Sequence, residues 1–385
     1  MQYDQPLSAQ SVQNSLSSSS LSSTTLAAIS SVLGLGSTSS ASSQVAVTSY
    51  SGGTVNTVHD SSGAVVAPQM VLLNNLGSAG TQVTLSIPNT LANAHAFVFD
   101  TQATITATFG AATGQAAQAE EVIKDAPVNT ANFGRVIVGG SGGNTLTVND
   151  SVSTYIDGGA GNDTITTNGG NDTIVLHGGV NTVNTGSGND VVYAGNGQDT
   201  IHGGQGFDTV VVNGKLADYT VKVGTDGSVT LSSTSSTAPG TVIAKDVTFF
   251  TDADGKNSVT VTADVTHASA VRMYEALLGR TADQAGAHYW LDNVSANGGN
   301  VTAIATAFIN SSEYQSKMGG ATDAAFVQSL YQNMLGRSAD ASGLAYWTST
   351  LADGSASRAS VAVSIVGSAE AQHHDTGVLV ITGQV

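Results

Sequence analysis

The chain has 385 residues, no cysteine, 45 glycines and a formal charge of −17, from 28 Asp and Glu against 11 Lys and Arg. That balance leaves no basic face to neutralise phosphates, so nucleic acid is excluded as a partner. The missing cysteines exclude disulfides, thiolate metal sites and a Cys nucleophile. Hydrophobic residues make up 40% and aromatics 5%, which fits thin β layers of Val, Ile, Leu and Ala, and no apolar run reaches the ~20 residues of a membrane span.

Residues 1–44 hold 16 serines and one short helical stripe, Leu26, Ile29 and Leu33. They read as a Ser-rich arm, either flexible or ordering on assembly. The first basic residue is Lys124, so the positive n-region of a secretory signal peptide is missing. Residues 45–138 carry β-branched or alternating runs (Val45–Val47, Val83–Ile87, Ala96–Phe99, Ile105–Phe109, Val136–Val138) punctuated by Gly, Asn and Pro. They predict a β-sandwich-like domain, and no catalytic constellation stands out in them.

From Gly158 to Val211 the sequence divides into six nonapeptides without a slip: GGAGNDTIT, TNGGNDTIV, LHGGVNTVN, TGSGNDVVY, AGNGQDTIH and GGQGFDTVV. The fourth position is always glycine: Gly161, Gly170, Gly179, Gly188, Gly197 and Gly206. The eighth is always β-branched, and the sixth reads Asp163, Asp172, Asn181, Asp190, Asp199 and Asp208. Glycine allows a tight turn; the β-branched residue supplies a short strand with one inward side chain. One unit cannot bury that side chain alone, whereas stacked units can, so the segment predicts a parallel β-roll over 139–212. Two units make one coil, which stacks residues 18 apart. One ladder is then Asp172, Asp190 and Asp208; the other is Asp163, Asn181 and Asp199. A stack of like charges is unfavourable unless a cation lies between the rungs. Carboxylates together with turn carbonyls form a hard oxygen cage suited to Ca²⁺, and the ladder containing Asn181 is expected to bind more weakly.

These units resemble the calcium-binding nonapeptides of the repeats-in-toxin (RTX) family, pattern G-G-x-G-x-D-x-U-x. Gly139–Thr147 looks like a degenerate further unit with Asn144 in the Asp place, and residues 148–157 read as a break in the period. The resemblance implies type I export of an unfolded chain by a C-terminal signal, with calcium outside the cell driving folding. The secretion machinery is thus an implied partner, and the location an extracellular one.

Residues 213–265 read as hairpins. Tyr219–Val223 and Val229–Leu231 flank Asp226-Gly227, and Val247–Phe250 and Val259–Val261 flank Asp254-Gly255. Residues 266–372 turn helical and repeat with an offset of 57: Tyr274-Glu-Ala-Leu-Leu-Gly-Arg280 matches Tyr331-Gln-Asn-Met-Leu-Gly-Arg337. Asp283, Gly286, Tyr289, Trp290 and Glu313 match Asp340, Gly343, Tyr346, Trp347 and Glu370. The glycines are expected to end helices and Asp283 and Asp340 to cap the next ones. The pattern L-G-R-x-x-D-x-x-G-x-x-Y-W resembles a domain of unknown function from secreted, surface-layer-like bacterial proteins. It reads as a structural helical pair, with Arg280, Tyr289 and Trp290 as the alternative ligand-binding face. Residues 373–385, with no Lys or Arg after Arg358, form the tail in which a type I signal is expected.

No H-E-x-x-H is present. Ser141 lies in a formal G-x-S-x-G within a degenerate nonapeptide, not at a strand-to-helix elbow. His177, His202 and His373-His374-Asp375 have no evident catalytic partner, and Asp252-Ala-Asp254-Gly lacks the later ligands of an EF-hand. The sequence therefore predicts a non-enzymatic, calcium-binding structural protein that assembles with copies of itself on the bacterial surface, as a surface layer, filament or biofilm matrix. The alternative is an adhesin that binds glycan, lipopolysaccharide or cell surfaces.

Overall fold

The computed structural model describes residues 5–17, 19, 21–35, 44–51, 54–74, 76–87, 91, 94–109, 133–234, 240–296, 298–374 and 377–381. The chain divides into two compact units. The first comprises Met1–Gly214, Asp218–Gly224 and Ser228–Val247; the second comprises Thr248–Val385 with two short stretches, Lys215–Ala217 and Thr225–Gly227.

The first unit is a parallel coil of two facing sheets. In one, strands Gln82–Ser86, Thr104–Phe109, Asn144–Val148, Thr164–Thr167, Val180–Asn184, Gln198–His202 and Thr241–Lys245 lie side by side, all parallel. The hairpin Tyr219–Val223 and Val229–Ser233 extends its edge antiparallel to Thr241–Lys245, and Gly227 takes the left-handed φ of +81° that its turn requires. In the other sheet Val47–Ser51, Met70–Asn74, Ala96–Asp100, Arg135–Val138, Thr154–Asp157, Thr173–Val175, Val191–Tyr193 and Thr209–Val212 run parallel in that order. The inward residues form the core: Leu73, Phe97, Ile105, Ile137, Leu146 and Ile156 early in the coil, then all six eighth-position residues, Ile165, Ile174, Val183, Val192, Ile201 and Val210.

Two sequence expectations change here. The stretch 45–138, expected as a sandwich-like domain, does contribute two β layers, but its longer strands are parallel and belong to the same two sheets as the nonapeptides; the short Thr54–Val55 strand and the separate pair Val58–His59 and Val65–Val66 are antiparallel. Its hydrophobic alternation is that of a half-buried strand in either topology, so alternation alone does not set strand direction. Residues 148–157 also do not break the coil. Val148 pairs with Thr167 and Tyr155 with Thr173, so 148–157 is itself a turn of the coil, with one extra residue between Val148 and Tyr155.

The Ser-rich arm supplies two helices, Ala9–Ser17 and Ser23–Val32, the second capped by Ser22, which accepts from the Thr25 N–H. Ile29 and Leu33 of the predicted stripe are buried, and Leu26 packs at the margin. With Ala9, Val12 and Leu16 they cover the outward apolar face of the second sheet, made of Val47, Met70, Ala96, Val98, Val136, Val138 and Tyr155.

The second unit holds the hairpin Phe249–Asp252 and Ser258–Thr262, with Val378–Val380 added parallel to Ser258–Thr262. Its helices repeat in order: Val265–Met273 continuing as a π turn over Tyr274–Leu278, then Gln284–Ala296, Val301–Asn310 and Ser312–Met318; and again Asp323–Leu335, Ala341–Ala352, Arg358–Val366 and Ala369–His374. Gly279 and Gly336 end their helices in the left-handed region, at φ +65° and +62°. Asp283 and Asp340 cap the next helices through Gly286 N and Gly343 N.

Candidate metal centre

The register stacks the sixth-position residues in two columns, residues 18 apart lying one above another. Asn181 pairs with Asp199, and Thr173 with Val191 and Val191 with Thr209, which places Asp172, Asp190 and Asp208 one above another. Each sixth-position side chain reaches back one coil. Oδ1 of Asp172 accepts from Thr154 N at 2.7 Å, Oδ1 of Asp190 from Asp172 N at 2.7 Å, and Oδ1 of Asp208 from Asp190 N at 3.0 Å. On the other side Asp163 accepts from Asn144 N and Asn144 Nδ2, and Asn181 Oδ1 accepts from Asp163 N.

The second oxygens differ. Oδ2 of Asp163, Asp172, Asp190 and Asp208 is buried and has no hydrogen-bond partner. The neighbouring hydroxyls of Thr167 and Thr185 donate instead to the carbonyls of Thr185 and Gly203. Asp199 is satisfied on both sides, accepting from Asn181 Nδ2 and Gly195 N at 2.8 Å each. A buried acceptor without a donor is costly, and a buried carboxylate without a counter-charge more so. Burial pushes the carboxyls of Asp163, Asp172 and Asp208 up to about 7. Asp190 rises to about 8, from burial and then from the charge of Asp172. Burial also raises Asp199, against the Asn181 and Gly195 hydrogen bonds.

The turns explain the fourth-position glycines. Gly179 has φ +94°, and a Cβ on it would collide with the Gly161 carbonyl of the coil above; a Cβ on Gly197 would collide with that of Gly179. Gly170, Gly188 and Gly206 stack likewise on the other side.

Among the described residues no three His, Asp or Glu side chains converge on one point. A cation would be held between coils, by carboxylates of successive turns together with backbone carbonyls. The four unpartnered Oδ2 atoms fit that arrangement, since hard oxygen donors lacking a proton donor suit Ca²⁺.

Family models match here. The RTX calcium-binding nonapeptide repeat matches residues 153–183 and 177–210. These are calcium-binding repeats. Repeats of this family bind Ca²⁺, and the match begins inside the turn that the sequence alone read as a break. A domain of unknown function, DUF4214, matches residues 259–317 and 305–374, one match on each helical repeat. No curated protein matches the chain.

The structure shows a further set of side-chain ties, from asparagines, that the sequence reading missed. Oδ1 of Asn162, Asn171 and Asn189 accepts from the backbone N–H of Val180, Asn189 and Phe207, one coil further on. The sixth-position side chains thus tie their turns backward, and Asn162, Asn171 and Asn189 tie theirs forward. The signal was the recurrent Asn before Asp in the fifth position.

The other candidates fall elsewhere. Ser141 donates to the Thr101 carbonyl at 3.3 Å. His177 is held by Asp157 at 2.7 Å, and Asp157 also accepts from Thr25 of the arm. Burial opposes ionisation of Asp157, but these bonds hold its carboxyl below the usual value. His202 is exposed. His373 bonds the Ala369 carbonyl, and Asp375 lies outside the described residues. Asp252 accepts from Lys256 N, Asn257 N and Asn257 Nδ2, so its oxygens complete a turn.

In the helical unit Arg280 is a staple. It bonds Glu313 at 3.0 and 3.1 Å and Asp283 at 3.1 Å, and lies over the Tyr274 ring. Arg337 does the same with Glu370 and Tyr331, which explains the matched Arg and Glu of the two repeats. Gly286 and Gly343 are needed because a Cβ would meet the Tyr274 and Tyr331 hydroxyls. Trp290 stacks on Phe308, while Tyr289 and Tyr346 are 57% and 60% exposed.

Proposed function

We infer that this chain is a secreted, non-enzymatic calcium-binding protein whose folding on calcium leads to self-assembly at the bacterial surface, as a layer, filament or biofilm matrix. The observation that carries the reading is the stack of buried carboxylates at Asp172, Asp190 and Asp208, each with an unpartnered oxygen. Such a stack is unstable while ionised and empty, so calcium binding and completion of the coil are one event. The charge of −17 supports calcium bridging between neighbouring molecules. Type I export and anchoring to lipopolysaccharide or another surface glycan belong to the same reading.

The test is light scattering with electron microscopy on the purified chain, titrated from EGTA to millimolar Ca²⁺. The expected result is growth into sheets or filaments that EGTA reverses. A calcium-folded monomer that never grows would favour the adhesin, for which the exposed Tyr289 and Tyr346 are the binding surface.

A further inference from the structure

We propose that the Arg135–Asp150 pair is a cation site at the N-terminal end of the Asp172 column, filled by the chain's own guanidinium where the following coils take calcium. The inference rests on the calcium reading of that column. Arg135 is in register with Thr154, and the Thr154 N–H bonds Asp172. The sixth-position column therefore reads Arg135, Thr154, Asp172, Asp190, Asp208. Asp150 sits in the turn that leads into Thr154, four residues before that register partner of Arg135.

Both side chains are buried, 4% and 7% exposed, and the contact is two-pronged, at 2.8 and 3.3 Å. Among the described residues of this unit, Arg135 is the one buried Lys or Arg. Asp150 also accepts from Val152 N at 3.1 Å, so the guanidinium joins a coil to the turn below it. The positive charge of Arg135 favours the ionised form of Asp172 two coils on, while Asp150 opposes it.

The coils before this point need no metal. Gln69 Oε1 accepts from Ala46 N in the coil above, as the aspartates do later, but through a neutral amide. His95 Nδ1 bonds the Gly134 carbonyl. Arg135 closes this neutral stretch. The N-terminal coils then form without calcium and present a finished edge on which the calcium-dependent coils stack.

The test is hydrogen exchange on the full chain, read separately over residues 70–148 and 158–212, with bound calcium counted by metal analysis. In EGTA the wild type should protect the first segment and not the second. Arg135→Ala removes the positive charge that faces the buried Asp150 carboxylate. It should lose protection of the first segment at least tenfold in EGTA, regain it in millimolar Ca²⁺, and bind one more ion per chain than the wild type. Arg135→Ala/Asp150→Ala should keep the wild-type ion count and show no recovery by calcium. Loss in the single variant with no recovery and no added ion would overturn the proposal, leaving an ordinary ion pair. If Arg135→Ala fails to fold in any condition, Arg135→Lys decides. It should keep protection in EGTA, and loss as complete as in the Ala variant overturns the cation role. A wild type whose first segment is unprotected in EGTA sinks this inference alone. A second segment equally protected in EGTA and calcium sinks the calcium reading as well.

Discussion

The coils before residue 150 and those after 157 follow one backbone path and differ in what fills the sixth-position column. In the early coils that column is neutral or internally paired: Gln69, His95, and Arg135 with Asp150. In the later coils it is Asp172, Asp190 and Asp208, buried and open on one oxygen. Spacing differs with it. Partner residues on the early strands lie 23, 26 and 40 apart (Val47–Met70, Met70–Ala96, Ala96–Val136), whereas later ones keep a strict 18 (Tyr155–Thr173, Thr173–Val191, Val191–Thr209). A turn satisfied by its own side chains tolerates insertions, because added loop costs little entropy. A turn that shares a cation with the next one must hold two carboxylates within coordination distance, and an insertion would part them.

The largest effect should come from making the later column lose its carboxylates. Asp172→Ala, Asp190→Ala and Asp208→Ala together remove the ligands and also the acceptors for Thr154, Asp172 and Asp190 N–H. Each buried donor left unmade costs about 1–3 kcal/mol. The nonapeptide region should stay unfolded with or without calcium, while the early strands keep their protection. Circular dichroism over a calcium titration checks this, and a persistent calcium-induced gain in β signal would contradict it. Asparagine at the same three positions keeps the Oδ1 acceptors and removes the charge. That variant should fold in EGTA and ignore calcium, making the later coils behave like the early ones.

The second difference is pH dependence. In the metal-free fold Asp172 and Asp208 titrate at about 7 and Asp190 at about 8, above their unfolded value near 3.9. The native state then binds more protons than the unfolded one between those limits. Stability of the empty coil is complete below about 4 and falls as pH rises through 7 to 8. Calcium takes the ionised carboxylates, so its affinity should climb at least tenfold from pH 6 to 8 and level above it. Calorimetry at pH 7 in buffers of different ionisation enthalpy should show protons released on binding; release of none would remove the raised carboxyls from the account.

What the sequence made legible was whatever recurs at a fixed spacing. The six glycines, the inward Ile and Val and both acid columns lie where the nine-residue period places them, and the 57-residue offset singled out Arg280, Glu313, Arg337 and Glu370, though not that each Arg bonds its Glu. The early coils were illegible because their loops vary in length, so no period marks them, and because a strand buried on one face alternates alike in parallel and antiparallel sheets. Arg135 and Asp150 are 15 residues apart with no motif to join them. Their pairing follows from strand register, which is a tertiary fact.

The smallest effect separates the members of the second column. That column reads Asn144, Asp163, Asn181, Asp199, and its amides already answer part of its charge: Asn144 Nδ2 donates to Asp163 and Asn181 Nδ2 to Asp199. It stands between the two regimes of the first column. The sequence treats Asp163 and Asp199 as equivalent weak ligands, but their environments differ. Asp163 keeps one oxygen without a partner, whereas Gly195 N occupies the second oxygen of Asp199. Asp163→Asn should therefore lower the number of bound calcium ions by one. Asp199→Asn should leave that count unchanged and cost about 1 kcal/mol of stability, the value of one exchanged hydrogen bond. Calcium counted on each purified variant decides it. An equal loss in both would mean that calcium displaces the Gly195 N–H from Asp199, and that this column is built for metal along its whole length.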